Sequence, residues 1–274
     1  MIHPDSGPLA RLVLPASGLS VTLRHPTGLD DILIAEGGLS EVQLALAIAE
    51  RLGDEREALD WTALPVCDLE ALLLHLRRGV IGDQVVTDSL CSAKGCGARL
   101  DFSFSIDAWL AHHRPKRPPL GARGFSVRAS ERHGEYDLSL RDVAGSFAFR
   151  IPTIGDQIAA AQDADAEMAI AQACLYPPDM PPRARRAAER AMQFLAPGLR
   201  DNLQGVCPEC RATITVLFDP LHYCLQELRD RARYVYQDVD ILAQRYAWSE
   251  AAILTIPSVR RMQYAELARA TRVA

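Results

Sequence analysis

The chain has 274 residues, of which 49% are hydrophobic and 24% are charged, a composition ordinary for a globular protein. This composition excludes a mainly disordered chain, a collagen and a disulfide-dense miniprotein. Acidic side chains outnumber basic ones by 35 to 30, and the net charge of −5 argues against a strongly basic nucleic-acid-binding protein. No apolar run approaches the roughly 18 residues of a transmembrane helix, so we predict a cytoplasmic protein that makes no membrane contact.

The N-terminal part of the chain carries strand and helix signals. Residues 1–18 contain three prolines and are predicted to form a loose arm, and the alternation over 19–24 predicts a strand. A helix is predicted over 41–52, because Ser40 and Gln43 make a capping box and a glycine follows the last turn.

A second helix is predicted after Asp68, which is a suitable N-cap, and Gly79 is placed at its end. Its leucines recur at helical spacing and form one apolar stripe, so we expect one face of this helix to lie against a core.

Four of the seven cysteines form two short pairs. Cys91 and Cys96 make a C-x4-C knuckle, and Cys207 and Cys210 make a C-x2-C knuckle. Zinc prefers four tetrahedral ligands, and two such pairs can supply four thiolates. Glycines beside the first pair permit the left-handed backbone that a knuckle needs. Four thiolates leave no open coordination position, so the pattern predicts a structural Zn²⁺ site and not a catalytic one.

Two other interpretations of these cysteines stay open: unrelated buried thiols, or a redox pair at Cys207 and Cys210. A redox pair usually opens a helix, whereas a β-branched strand follows here, which favours the metal site. The remaining cysteines have apolar neighbours and are predicted to be small buried residues. They are Cys67, Cys174 and Cys224.

Candidate strands flank both knuckles, at 84–90, 99–106 and 212–218, as in a zinc ribbon. About 110 residues separate Cys96 from Cys207, so the ribbon must carry an insertion. The predicted fold class is therefore α+β: a split zinc ribbon with a large inserted α+β subdomain and helical N- and C-terminal segments. The regions are an N-terminal strand and helix region (1–83), the split ribbon (84–106 plus 203–218), the inserted subdomain (107–202) and a C-terminal helical region (219–274).

The insertion opens with a short helix and a proline-rich basic connector at 113–121, which is either a contact for an acidic partner or a solvated linker. Alternating residues then predict an antiparallel meander of three strands. Helices are expected near 154–175 and 183–195, separated by a cluster of prolines.

The C-terminal region contains a long heptad pattern. Apolar residues recur at spacings of four and three from residue 221 to 246, including Leu228, Val235 and Leu242. The pattern predicts one long helix, which either packs on its own domain or docks a partner. Ser249 is the predicted N-cap of a short helix, and a last helix follows Pro257.

Motifs of catalysis are missing from the sequence, which has no phosphate-binding loop, no zinc-protease HExxH and no nucleophile elbow. His112 and His113 are adjacent, so their side chains are not expected to converge on one site. The sequence therefore predicts that the protein is not an enzyme.

Three stretches together resemble the baseplate hub assembly proteins of T4-like contractile phage tails, and their counterparts in the operons of tail-derived contractile injection systems. The first is the leucine-rich run at 64–77, followed by Gly82-Asp83 and the first knuckle, and the second is the second knuckle with Phe218-Asp-Pro. The third is Tyr246-Ala-Trp-Ser-Glu-Ala-Ala-Ile-Leu, followed by Pro257 and by Arg260-Arg-Met-Gln-Tyr. The resemblance implies a chaperone or minor hub component whose partners are hub or spike proteins. The expected partner-binding residues are Leu228, Val235, Leu242, Trp248, Arg260 and Arg261.

The alternative is a nucleic-acid-binding zinc-ribbon accessory protein. Such ribbons usually carry basic and aromatic residues on their strands, whereas Asp101 and Asp219 stand beside these knuckles. Only the basic residues at 114–117 offer a footprint for nucleic acid, and nucleic-acid binding is therefore not expected.

Overall fold

The structure is a computed structural model that describes residues 7–53, 59–116, 124–132 and 134–270. Parts of the predicted arm (1–18) and of the predicted connector (113–121) therefore lie outside the described residues. The strands are β1 (Ala10–Val13), β2 (Ser20–Leu23), β3 (Gln84–Leu90), β4 (Arg99–Ser105), β5 (Phe125–Ala129), β6 (Glu135–Leu140), β7 (Phe147–Arg150), β8 (Leu175–Tyr176), β9 (Asp201–Val206) and β10 (Thr213–Phe218). The helices are α1 (Gly28–Glu36), α2 (Glu41–Leu52), α3 (Val66–Val80), α4 (Ile106–His112), α5 (Ile154–Ala160), α6 (Ala166–Cys174), α7 (Pro182–Leu195), α8 (Pro220–Ala232), α9 (Val235–Tyr246), α10 (Glu250–Leu254) and α11 (Ser258–Ala270).

The predicted α+β class is confirmed, because the described residues combine helices with strands that pair only in antiparallel fashion. Three two-stranded hairpins, β1–β2, β3–β4 and β9–β10, stand beside one four-stranded antiparallel sheet in the order β5-β6-β7-β8. Within the described residues, no helix combines the length and apolarity that crossing a bilayer demands.

The main core surrounds α3. Its leucines at 72, 73, 74 and 76 are all fully buried, so the helix is enclosed on more than the single stripe that the sequence predicted. Helices α2 and α8 pack against it, as does β1. Helix α2 has the predicted bounds, and Ser40 and Gln43 form the predicted capping box.

The predicted role of Asp68 as an N-cap is wrong. Helix α3 begins at Val66 after Pro65, and Asp68 lies in its first turn. Its buried carboxylate instead accepts hydrogen bonds from the backbone N–H groups of Ala16 and Ser17, at 2.8 and 2.9 Å. These bonds hold the β1–β2 hairpin on the core, so the described part of the predicted loose arm is ordered.

The predicted continuous helix over the heptad pattern is also wrong, because the chain forms two helices, α8 and α9, that part at residues 233–234. Leu225 and Leu228 of α8 lie in the main core. Leu242 of α9 lies in a separate small core with α10 and α11. The regular spacing therefore serves two different cores, and the chain changes direction between them.

Within the inserted subdomain, the four-stranded sheet and α7 form a core of their own, whereas Trp109, Ile154 and Leu199 lie in the main core. The alanine face of α7 covers Leu138, Phe147 and Phe149 of the sheet. The predicted meander is confirmed by the pairing of β5 with β6 and of β6 with β7. The helix predicted near 154–175 is divided into α5 and α6. Asp165 caps the start of α6, because its side chain accepts a hydrogen bond from the backbone N–H of Met168.

Candidate metal centre

Each cysteine pair lies at the tip of a β-hairpin. Strands β3 and β4 pair over their full length, from Gln84 opposite Ser105 to Leu90 opposite Arg99, and the first knuckle joins them. Strands β9 and β10 pair likewise and carry the second knuckle between Val206 and Thr213. Both predicted knuckles are thus bracketed by strands, although β9 itself was not predicted.

The four cysteine sulfurs of the two hairpins meet at one point. The Sγ atoms of Cys91 and Cys210 are 3.6 Å apart, those of Cys96 and Cys207 are 3.7 Å apart, and all four lie within 4.8 Å of one another. A disulfide would require about 2.05 Å. A tetrahedral ion with four sulfurs at about 2.3 Å requires sulfur–sulfur distances near 3.8 Å. The cluster therefore has the donor set and the spacing for a metal ion.

The backbone of each knuckle turns back on itself as a metal-binding loop does. The N–H of Cys91 donates to the carbonyl of Ala98 at 2.7 Å, and the N–H of Cys207 donates to Ala212 at 2.9 Å. Residue Gly97 has φ of +65°, which glycine adopts without strain. In the second knuckle, Arg211 has φ of +62°, a left-handed backbone conformation that residues other than glycine rarely adopt.

The hairpins pack face to face behind the sulfurs. Leu100 and Ile214 are buried there with Cys91 and Cys207. At the next layer the ring of Phe102 lies over the bare backbone of Gly205, where a Cβ atom would come within 2.9 Å of the ring. This close approach was not foreseen from the sequence, although a lone glycine inside a strand is the usual signal for one.

The acidities of the thiols show how the polypeptide favours a bound cation. Hydrogen bonds from the N–H groups of Cys210 and Glu209 lower the pKa of Cys207 to about 7. The N–H of Ala93 lowers the pKa of Cys91, but burial and the neighbouring thiols outweigh this and raise it to about 12. The four sulfurs therefore cannot all ionise by themselves, and a divalent cation would stabilise the fully ionised set.

The other three cysteines stand apart from the centre, as predicted. Cys67, Cys174 and Cys224 are all buried, and burial raises the pKa of each thiol above its ordinary value. A buried thiol with a raised pKa is a poor nucleophile and a poor ligand.

Four of the six expected partner-binding residues are buried within the protein. Leu228, Val235 and Leu242 are at most 4% exposed. Arg261 is 1% exposed and lies between two buried carboxylates, 2.8 Å from Asp31 and 3.2 Å from Asp238. Because these side chains are enclosed by their own chain, they do not offer a surface to a partner.

The remaining two, Trp248 and Arg260, reach the surface of the small C-terminal core. Trp248 stacks on Tyr246 with ring centroids 4.9 Å apart and meets Tyr264 edge-on at 5.4 Å. We call Tyr246, Trp248 and Tyr264 the aromatic patch. Arg260 lies one helical turn before Tyr264 and is therefore on the same side of α11. Tyr246 and Tyr264 lie within the C-terminal motifs noted in the sequence, but the sequence did not indicate a role in partner binding for them.

No protein-family model matches the chain, and neither a curated protein nor a solved structure is detectably similar to it.

Proposed function

We propose that the chain is a non-enzymatic assembly protein built around one structural Zn²⁺ ion. The observation that carries the proposal is the meeting of the Cys91, Cys96, Cys207 and Cys210 sulfurs at tetrahedral spacing. Thiolate sets of this kind suit zinc, and the ion is redox-inert and closed to substrate when all four positions are filled. In this proposal the two hairpins are the halves of a split zinc ribbon.

The zinc ion would hold the two ends of the insertion in a fixed position relative to each other. Cys96 and Cys207 are 111 residues apart in the chain. Two-stranded hairpins are marginally stable by themselves. An ion that fastens one hairpin to the other therefore gives a rigid frame on which the inserted subdomain and the main core are held.

The resemblance to baseplate hub assembly proteins supplies the biological setting of the proposal. We place the protein in the cytoplasm of a bacterial or phage-infected cell, as a chaperone or minor hub component for a contractile tail or tail-like injection system. Its partners would be hub or spike proteins. The chaperone role is favoured, because the chain carries no fibrous or sheath-like repeat.

The aromatic patch is the proposed contact for such a partner. Exposed aromatic side chains with a neighbouring arginine are enriched at protein interfaces and contribute most of their binding energy. Trp248 and Arg260 therefore remain proposed partner-binding residues, and Leu228, Val235, Leu242 and Arg261 are withdrawn from that role.

The charges around the knuckles favour a protein partner over a nucleic acid. Arg99 on β4 is paired with Asp88 at 3.1 Å and approaches Asp101 at 3.9 Å. A ribbon that bound phosphates would leave such an arginine free and would not surround it with carboxylates.

Affinity purification of the tagged protein from particle-producing cells tests the proposal, with assembled particles purified in parallel and both analysed by mass spectrometry. Recovery of soluble hub or spike subunits, with none of the protein in finished particles, is expected for a chaperone. Presence in the particles at fixed stoichiometry would make it a minor hub component. Recovery of nucleic acid or polymerase in place of tail proteins would contradict the proposal.

The variants Trp248→Ala and Arg260→Glu locate the contact in the same experiment. Both are expected to lose the tail subunits. Arg260→Glu changes only an exposed side chain, so its effect cannot be attributed to lost packing. If both variants retain the tail subunits at the wild-type level, the aromatic patch is not the contact.

A further inference from the structure

Two neighbouring cavities lie beside the end of α4 and the residues that follow it. The first has a volume of about 300 Å³ and is lined by His112, Arg114, Lys116 and Arg190, and we call it the basic cavity. The second has a volume of about 490 Å³, and we call it the apolar cavity because aliphatic side chains predominate in its lining, among them Ala111. The two cavities share His113 and Arg114.

The positive charge of the basic cavity is not compensated within the part of the chain that the structure describes. No acidic side chain lines the cavity, and Arg114, Lys116 and Arg190 have no ion-pair partner among the described residues. Two nearby carboxylates are engaged with other side chains: Glu189 pairs with Arg185 at 2.8 Å, and Asp201 lies 3.3 Å from the buried ring of His113. An anion would therefore meet several cations without displacing an internal ion pair.

The described start of the connector is anchored and does not extend freely into solvent. His113 is buried, and its ring contacts the carbonyl oxygen of Trp109 at 2.9 Å and the carboxylate of Asp201 at 3.3 Å. Three residues later the backbone N–H of Lys116 donates to the carbonyl of Phe194 in α7, at 2.6 Å. These bonds position the basic side chains against α7 before any ligand binds, which lowers the entropic cost of binding.

We propose that the two cavities together bind an acidic peptide segment of a partner protein. An aliphatic side chain of the segment enters the apolar cavity, and carboxylates face Arg114, Lys116 and Arg190. This inference rests on the proposed function, in that it names the chemistry of the partner. A nucleic acid fits less well, because the larger cavity is lined mainly by aliphatic side chains and not by the Phe, Tyr or Trp rings on which bases stack.

Fluorescence anisotropy with purified full-length protein tests the inference. The probe is a labelled peptide of two leucines, a glycine and four glutamates, and its control carries glutamines in place of the glutamates. We expect the acidic peptide to bind at least about 10-fold more tightly than the glutamine peptide at low salt, and this preference to shrink at high salt.

Three variants assign the binding to the cavities. Arg114→Gln combined with Arg190→Gln is expected to weaken the acidic peptide by about 10-fold or more. Ala111→Phe fills the apolar cavity from an exposed helix position and is expected to weaken it by about 5-fold or more. Arg245→Gln changes an exposed side chain of α9. It is the matched control and should leave the affinity unchanged.

Equal binding of the two peptides, or unchanged binding in the double variant, would overturn the inference. Tighter binding of an oligothymidine, lost in the same double variant, would overturn it in favour of nucleic acid. The assay contains no tail component. Failure of peptide binding with intact recovery of tail subunits therefore contradicts this inference alone, and the reverse result contradicts the proposed function alone.

Discussion

Replacing Cys207 with serine is expected to release the metal and unfold the two hairpin tips. The Cys207 side chain is fully buried, and its sulfur stands 3.7 Å from that of Cys96. A serine hydroxyl is a poor ligand for zinc at neutral pH, so the variant offers only three thiolates. The substitution hardly changes the volume of the side chain, and the loss is therefore chemical and not a packing defect.

The size of the effect follows from what else holds the tips together. Two fully aliphatic side chains, Leu100 and Ile214, are buried between the hairpins and contribute about 2 kcal/mol each. A structural zinc ion contributes on the order of 10 kcal/mol. The contribution of the metal to stability therefore exceeds that of the local apolar packing. Loss of the metal should lower the free energy of opening the tips to near zero. The main core around α3 does not touch the metal and should persist.

Native mass spectrometry and hydrogen exchange measure the two parts of this expectation. Wild-type protein should carry one zinc ion and the variant none. The amides at the knuckle ends of β3, β4, β9 and β10 should lose protection, whereas those of α3 and of Val85 and Phe218, which lie in the main core, should keep it. Cys174→Ser is the matched control, since Cys174 is equally buried but lies outside the cluster. The reasoning is refuted if the variant keeps its zinc, or if it loses zinc with hairpin exchange unchanged.

Three further predictions concern stability. Gly205→Ala should destabilise the protein by about 1–3 kcal/mol, because its Cβ would lie 2.9 Å from an aromatic ring. Gly198→Ala, in open space, should stay within about 0.5 kcal/mol, and equal denaturant midpoints for the two would contradict this contact. Arg261→Met should cost about 3–5 kcal/mol, because it removes the cation that two buried carboxylates share; Asp238 keeps Arg269 at 2.7 Å, and Asp31 keeps the Ser258 hydroxyl at 2.6 Å. Arg260→Met should be nearly neutral, and similar melting temperatures for the pair would refute the buried role. Burial raises the pKa of Glu70 from 4.5 to about 7, so this carboxyl contributes stability below pH 4.5 that is lost as the pH rises to 7. Glu70→Gln should therefore stabilise by about 3 kcal/mol at pH 8 and by less than about 1 kcal/mol at pH 5, and a gain independent of pH would contradict the buried charge.

The knuckles could be predicted because their information is local. Residue type, spacing and the flanking alternation all fall within about ten residues of each pair, and they led to the four cysteines that the structure brings together. The sequence could not show that the two pairs meet, because Cys96 and Cys207 are 111 positions apart and are brought together only by the packing of the insertion.

Periodicity identified apolar faces but not what covers them. The heptad pattern through Leu228 and Leu242 is the same whether it faces one partner or two internal cores, and the structure assigns it to two cores. The two helices separate at residues 233–234, where the sequence has no glycine or proline to indicate a break. Whether this segment forms one helix or two therefore depends on tertiary packing between residues that are distant in the chain.

Some missed elements did have local signals. Helix α1 begins with a capping box in which the Asp30 carboxylate accepts a hydrogen bond from the backbone N–H of Thr27 at 2.8 Å, and this Thr-x-x-Asp pattern is visible in the sequence. The burial of Arg261 had no such signal, because its partners Asp31 and Asp238 are far away in the chain. An arginine in a helix is ordinarily expected at the surface.

X-ray absorption at the zinc edge on the purified wild-type protein tests the central claim most directly. The account predicts one zinc ion per chain with four sulfur neighbours at about 2.3 Å and no nitrogen or oxygen ligand. Protein that is well folded but contains no zinc, or whose zinc has fewer than four sulfur ligands, would contradict the metal centre and the assembly role proposed for it.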